Sequence, residues 1–387
     1  MVRIWKGEAF MNSVRLSKDA VRSKLAEFPR YRLAHLPTAL EPLPRLSSLL
    51  GINLWIKRDD LTGLAFGGNK TRKIEYVMAD AIEQNCDVVI TWGGVQSNWC
   101  RQVAAAARKC GLGVILVLFR KPGGSNALDG NLLVDFLCDA EIDVIEMEQS
   151  KGTINFSVAC EIVENLAKRE RFAGRKPYVV SIGASLLAGS MTRPLGAVAY
   201  VNAALEIMEQ SEQLSVSFHS IVLATGSGST QAGLITGASL LGWDARVIGI
   251  SVSDNAATMR RNTELISQQT LREFAVNSDL PSDEFHIFDD YIDGGYGVLN
   301  RATAEAVHLL AQTEGLLLDP VYSGRAMVGL LDMLKKGIIR PGENVIFLHT
   351  GGTPALFPYR DELQAFLPVN AATMGLRSLD TDLLSRT

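Results

Sequence analysis

The sequence predicts an α/β fold in which two lobes, each built on a parallel sheet, share a cleft. Three observations carry that expectation. Seven short runs rich in β-branched residues read as strands, in two groups: "DVVIT" (87–91), "VILVLF" (114–119), "DVIEM" (143–147) and "YVVSI" (178–182), then "SIVLA" (220–224), "RVIGI" (246–250) and "NVIFLH" (344–349). They are near-continuously apolar rather than alternating, so helices should cover both faces. The stretches between them have helical spacing, as in "RQVAAAARKCG" (101–111), which stops on a glycine. Finally, glycine-rich turns follow the strands ending near 91, 224 and 349. In open parallel sheets that end of the strand is where ligands bind.

Taken from the N-terminus, "MVRIWKGEAFMNSVRLSKDA" has no apolar core of the kind a signal peptide needs. No apolar run approaches a membrane span, so the expectation is a soluble cytoplasmic protein. "RLAHLPTALEPLPRL" (32–46) is punctuated by proline and should wrap the surface before "LWIKRDD". The chain has 387 residues, 47% hydrophobic and 21% charged, enough for two lobes with proper cores. A net charge of −4 argues against nucleic acid as the main partner. Cys86, Cys100, Cys110, Cys138 and Cys160 form no CxxC pair and no zinc spacing. They read as free thiols in a reducing compartment, and no metal site is expected.

"AFGGNKTRKIEY" (65–76) poses the first chemical question. Lys70 opens a helix, where the dipole disfavours positive charge. It is either incidental or held there for chemistry. "ATGSGSTQAG" (224–233) follows a strand and precedes a helix, so its N–H groups and hydroxyls can surround a phosphate. A plain tight turn is the alternative. Gly226 and Gly228 fit a dinucleotide fingerprint, but Gln231 takes the third glycine position and the next strand ends without an acid. Asn69, between Gly68 and Lys70, breaks a Walker pattern. A phosphate site without dinucleotide features suggests a cofactor such as pyridoxal phosphate. That cofactor needs one lysine amine for a Schiff base, with its pKa lowered by burial or by positive neighbours. Arg72 and Lys73 are the neighbours in sequence.

"GGVQSNWCR" (93–101) places Gln96, Ser97 and Asn98 after a strand and a glycine pair. Its N–H groups could receive a substrate carboxylate, and Asn98 could donate to a ring hydroxyl. For Ser97 alone, an ordinary N-cap is the favoured reading. Tyr322 in "DPVYSGRAMVGL" (319–330) and Tyr296 in "GGYGVLN" (294–300) stand in glycine turns, as cleft walls or as core. Thr350 ends a strand, where its hydroxyl could meet a pyridine nitrogen or simply cap the strand. His349 reads as packed rather than as a base. Asp59–Asp60 and Asp289–Asp290 read as solvated turns or caps.

Together, "KRDDLTGLAFGGNKTRKIEY", "GGVQSNWCR", "TGSGSTQAG", "DPVYSGRAMVGL" and "HTGGTPALF" resemble the D-cysteine desulfhydrase and 1-aminocyclopropane-1-carboxylate deaminase family of pyridoxal-phosphate enzymes, in order, from about residue 28 to about 360. The resemblance implies fold type II, the tryptophan synthase β-like architecture, with parallel or mixed sheets flanked by helices. It implies a large lobe of residues 1–73 and 184–387 and a smaller inserted lobe of 74–183, in a homodimer. It implies that Lys70 is the Schiff-base lysine, that Asn98 contacts the cofactor ring, and that Gly226, Ser227, Gly228, Ser229 and Thr230 hold the phosphate. Thr350 would face the pyridine nitrogen. Ser97, Tyr296 and Tyr322 would act beside the substrate, and Gln96, Trp99, Ser323 and Arg325 would complete its pocket. Relatives often carry His where this chain has Trp99, and Lys where it has Arg325. The deaminase branch typically has Glu at position 323 and Leu at 350, where this chain has Ser and Thr. The implied activity is pyridoxal-phosphate-dependent β-elimination from a small cysteine-type amino acid, D-cysteine first. Alternatives are L-cysteate, for which Arg325 would suit a sulfonate, and 1-aminocyclopropane-1-carboxylate. A ligand-binding protein on the same fold and a dehydrogenase are the competing classes. An intact Lys70 and the missing ribose-binding acid argue against them.

Overall fold

The computed structural model describes residues 15–124, 127–147 and 154–367. The N-terminal stretch considered above therefore lies outside the described residues as far as residue 14, and the tail does so from 368. Among the described residues ten strands form two sheets. β1 (Leu40–Pro42), β2 (Asn53–Lys57), β7 (Ser220–Thr225), β8 (Arg246–Ser251), β9 (His286–Phe288) and β10 (Asn344–Leu348) make a six-stranded sheet in the order β1-β2-β10-β7-β8-β9. β3 (Val88–Gly94), β4 (Gly113–Arg120), β5 (Glu141–Glu146) and β6 (Pro177–Val179) make a four-stranded sheet in the order β5-β4-β3-β6. Every pairing is parallel except β1 on β2. All seven strands read from the sequence are present. Their unbroken apolar character has the expected cause: Val222, Leu223, Val345, Phe347, Ile90 and Leu116 are buried, with helices over them. β5, at an edge, is the exception and is partly exposed.

The segment 32–46 does not wrap the surface. It supplies β1 and opens the helix Pro44–Leu50, with Leu40, Leu43 and Leu46 in the core. Both prolines are tolerated, because Pro42 lies in an edge strand and Pro44 starts a helix. β2 is an interior strand, pairing β10 through Asn344↔Asn53 to Leu348↔Lys57.

Gln231 explains why the glycine loop departs from a dinucleotide fingerprint. Its side chain lies against Gly249 on β8, where a Cβ would come within 2.1 Å of Oε1. Its Nε2 donates to the carbonyl of His286 at 2.9 Å. A large side chain ties the helix Ser229–Leu241 to β8 and β9 where the dinucleotide pattern uses a glycine for close packing. No helix among the described residues is long and apolar enough to cross a membrane.

Candidate active site

Lys70 is the first residue of the helix Lys70–Glu83 and reaches the floor of a cleft of about 340 Å³. The turn before it is strained. Ala65, Phe66, Gly67 and Gly68 all have positive φ, at 44°, 68°, 67° and 125°. For the two residues with side chains this costs about 1–3 kcal/mol each. The glycines are required, since a Cβ would lie 2.1 Å from the Asp60 carbonyl at 67 and 2.6 Å from Gln102 Nε2 at 68. The Lys70 amine donates to Asn69 Oδ1 at 3.0 Å and lies 5.2 Å from the Tyr322 ring centre. Burial pulls its pKa down to about 8, with Asp319 opposing and Arg101 reinforcing the shift. Arg72, a candidate for that electrostatic role, does not supply it, because its charge is neutralised elsewhere.

Across the cleft, the helix Ser229–Leu241 begins at Gly228 with no side-chain cap, so its first N–H groups stay available. Lys73 points at this loop. Its amine donates to Ser229 Oγ at 2.9 Å, and Ser229 Oγ donates to the Gly183 carbonyl. Burial, then the Lys70 charge, holds the Lys73 pKa well below its ordinary value. Asn69 Nδ2 donates to Thr230 Oγ1 at 3.1 Å. On the remaining side the Tyr296 and Tyr322 hydroxyls meet at 2.6 Å. Burial raises the pKa of both, so both keep their protons at neutral pH.

Beneath Lys70 is a buried ionic cluster. Arg72 grips Asp59 with two bonds of 2.8 and 2.9 Å and donates to both oxygens of Glu206. Lys57 donates to Glu206, and the Tyr200 hydroxyl to Asp59 at 2.6 Å. Burial would raise the Glu206 pKa, but Arg72 and Lys57 hold it at about 2. Two cations face two anions, so the cluster is close to neutral. Asp59 is therefore no solvated turn residue. Asp289 behaves as a cap, accepting from Ala256 N.

Comparison with known proteins is now decisive. The family model described as "Pyridoxal-phosphate dependent enzyme" matches residues 31–351. The chain belongs to that family. It is 40% identical to the D-cysteine desulfhydrase of Salmonella typhi over 87% of this chain and 97% of the relative. It is also 40% identical to a Pyrococcus furiosus protein named, provisionally, 1-aminocyclopropane-1-carboxylate deaminase, over 90% of this chain and 99% of the relative. A crystal structure of an ACC deaminase homologue superposes with a TM-score of 0.80 at 38% identity, covering 90% of this chain and 99% of that one. The fold is type II of the pyridoxal-phosphate enzymes, and pyridoxal phosphate is the cofactor. The residues present fit it: an uncapped helix start and a buried amine at one end of the cleft, and a low-pKa lysine at the other.

Of the residues the sequence singled out, Lys70, Ser97, Trp99, Gly226, Ser227, Gly228, Thr230, Tyr296, Tyr322 and Thr350 all line this cleft. Ser97 also caps the helix Asn98–Lys109 through Cys100 N. Trp99 is packed, its Nε1 donating to Thr91 Oγ1. Ser229 stands just behind the wall, under Lys73. Asn98 is buried and its Oδ1 accepts from Asn131, while its Nδ2 donates to no protein atom among the described residues. Three expectations need correction. Gln96 faces a neighbouring cavity, with its amide held by Asp129 O and Asn131 N. Ser323 donates to Asp319 at 2.6 Å and does not reach the cleft. Arg325 does not either. Its guanidinium donates to the carbonyls of Val252, Gly295 and Val298 at 3.2, 2.7 and 2.5 Å, so it holds the Tyr296 loop, while its buried Nε has no hydrogen-bond partner among the described residues. His349 is packed, its ring against the Leu317 carbonyl. Lys73 and Asn69 were missed as site residues, although Lys73 stands three positions after Lys70 and so on the same helix face.

Proposed function

We propose that this pyridoxal-phosphate-dependent lyase removes the β-substituent of a small cysteine-type amino acid, with D-cysteine as the substrate that fits best. D-cysteine and water would yield pyruvate, ammonia and sulfide. The observation that carries this reading is the charge of the cleft wall: among the described residues its only cations are Lys70 and Lys73. The cofactor calls on both of them, which favours a leaving group that needs no cation of its own. The 40% identity to a D-cysteine desulfhydrase supports the same choice.

The geometry supports the following roles. Lys70 would anchor the cofactor, and its amine, at about 8, is a proton acceptor matched to neutral pH. Gly226, Ser227, Gly228 and Thr230, with Ser229 and Lys73 behind them, would hold the phosphate. Thr350 would face the pyridine nitrogen, and Asn98 Nδ2 would donate to the ring hydroxyl. Ser97 and the start of its helix would receive the substrate carboxylate, with Trp99 closing the pocket. When bound, pyridoxal phosphate draws electrons from the substrate Cα and stabilises the charge left after its proton departs. Tyr296 and Tyr322, both protonated, are positioned as donors to a departing sulfur.

We further propose a lobe division at 73/74 and 183/184, in keeping with a four-stranded sheet drawn wholly from residues between 88 and 179. A homodimer is proposed from the exposed Phe136 and Leu137 on the helix Gly130–Leu137, and sedimentation of the full chain tests it. Five free cysteines favour the cytoplasm. Pyruvate release, measured over D-cysteine, L-cysteine, L-cysteate and 1-aminocyclopropane-1-carboxylate, tests the function. D-cysteine should dominate. Efficient ammonia release from the cyclopropane substrate would overturn the assignment.

A further inference from the structure

We propose that Arg101 is the positioning residue of Lys70: it clamps the strained turn that presents the amine, and its positive charge, which no carboxylate hydrogen-bonds, adds to the effect of burial on that amine. This rests on reading Lys70 as the reactive amine.

The geometry is specific. Arg101 is fully buried on the helix Asn98–Lys109. Its Nη1 donates to the Ala65 carbonyl and its Nη2 to the Gly67 carbonyl at 3.1 Å. Its Nε donates to Asn131 Oδ1 at 2.6 Å. Two of the three bonds therefore fall on the run of positive-φ residues that ends two positions before Lys70. A backbone held in disfavoured conformations persists only where its surroundings over-determine it. A planar fork donating to two carbonyls of one turn does that, and a lysine ammonium cannot copy it.

The charge is the second part. All three acceptors are neutral. The one carboxylate nearby, Asp135, is also buried, and neither of its oxygens has a hydrogen-bond partner among the described residues. Burial raises the Asp135 pKa well above its ordinary value, with Arg101 opposing. Burial lowers the Arg101 pKa to about 10, with Asp135 and Cys138 opposing, so Arg101 is charged at neutral pH and its charge bears on Lys70. The other charged groups felt around the amine are Asp319, which favours the ammonium, and Lys73, whose own pKa Lys70 lowers. Arg72 is bound to Asp59 and Glu206 and adds little net charge. Asp319 is engaged by three backbone N–H groups and Ser323. Burial is the main cause of the low Lys70 pKa; Asp319 opposes it, and Arg101 adds to it.

The test separates clamp from charge. The reactivity of Lys70 is measured in the full chain stripped of cofactor, as the pH dependence of its labelling rate read by mass spectrometry. In Arg101→Gln the charge is lost, so the labelling midpoint of Lys70 should move to higher pH and its labelling rate near neutral pH should fall. In Arg101→Lys the charge is retained while the fork is lost. The labelling midpoint should stay near the wild-type value, while amide exchange over 64–69 accelerates at least about tenfold. Asn131→Asp sets a carboxylate on Arg101 Nε and should move Lys70 in the direction of Arg101→Gln without removing the arginine, while giving up the Asn131 Nδ2 bonds to Gln96 O and Asn98 Oδ1. It carries the test if the arginine variants do not fold. Unchanged Lys70 labelling in folded Arg101→Gln or in Asn131→Asp, or unchanged exchange in Arg101→Lys, overturns the proposal. The pH midpoint of the visible band of the loaded protein should shift with the labelling. If borohydride traps the cofactor on another lysine, it is the reading of Lys70 that fails, a result distinct from the first.

Discussion

Replacing Lys73 with methionine should weaken cofactor binding while sparing, or improving, the cofactor-free chain. Lys73 is 2% exposed and spends its amine on Ser229 Oγ at the phosphate loop. A hydrogen bond to a charged group contributes about 1.5–3 kcal/mol, so losing it should weaken pyridoxal phosphate binding roughly 10- to 150-fold. Without the cofactor the same amine is a liability. Burial, then Lys70, depresses its folded pKa well below the ordinary 10.5, so at intermediate pH the unfolded chain binds the proton more tightly. Stability of the cofactor-free protein then rises with pH as the Lys73 penalty fades. Lys73→Met removes that penalty. Its gain in Tm over wild type should be largest at the acid end of the range and shrink as the pH rises toward the ordinary lysine pKa of 10.5. The assays are an absorbance titration of stripped protein with cofactor and thermal unfolding across that range. An unchanged Kd in a folded variant, or an equal loss of Tm with and without cofactor, refutes the assignment of Lys73 to the phosphate.

Lys70→Ala should abolish the visible band and the borohydride-reducible link to the cofactor; a reducible link retained at another lysine sinks the assignment. Gly228→Asp should weaken cofactor retention by well over tenfold. It sets a carboxylate against the phosphate and a side chain at φ +89°, with the new Cβ only 3.3 Å from Thr263 Oγ1. Retention at wild-type affinity in a folded variant would put the phosphate elsewhere.

Much of this site is legible locally, and the failures share one cause. The seven strands were readable because parallel strands covered on both faces must be apolar throughout, a property of each run by itself. β2 was not, because "NLWIK" ends in a lysine. Lys57 can be buried because Glu206 and Gln210, on a helix about 150 positions later, accept its hydrogen bonds together with the Thr38 carbonyl. Asp59 was misjudged for the same reason, since Arg72 and Tyr200 make it a core residue. Lys70 and the 226–230 loop were legible because their chemistry is carried by contiguous residues. Lys73 was overlooked although helical spacing placed it beside Lys70. Arg325 was misplaced because the carbonyls that consume it come from 252, 295 and 298, and no local pattern announces such an acceptor set.

That last correction bears directly on the substrate. Cysteate carries a sulfonate as well as a carboxylate, and each anion entering a cleft needs a partner to replace its water. On the proposed reading the carboxylate would have the N–H groups at the Ser97 turn. The sulfonate would need a cation, and Arg325 was the natural candidate. With its guanidinium on three carbonyls, freeing it would break the bonds that hold the loop carrying Tyr296. On the proposed reading the cationic side chains of the described cleft wall, Lys70 and Lys73, would be taken up by the cofactor, and the nearby Asp254 is itself acidic. A thiol enters uncharged at neutral pH, and as it leaves it meets two tyrosine hydroxyls that keep their protons. D-cysteine should therefore be turned over at least about tenfold more efficiently than L-cysteate in kcat/KM, the ratio a single unpartnered charge imposes at 1.4 kcal/mol or more. The reverse preference would mean that Arg325 leaves its carbonyls when substrate binds. In that case Arg325→Gln would abolish cysteate turnover and spare D-cysteine.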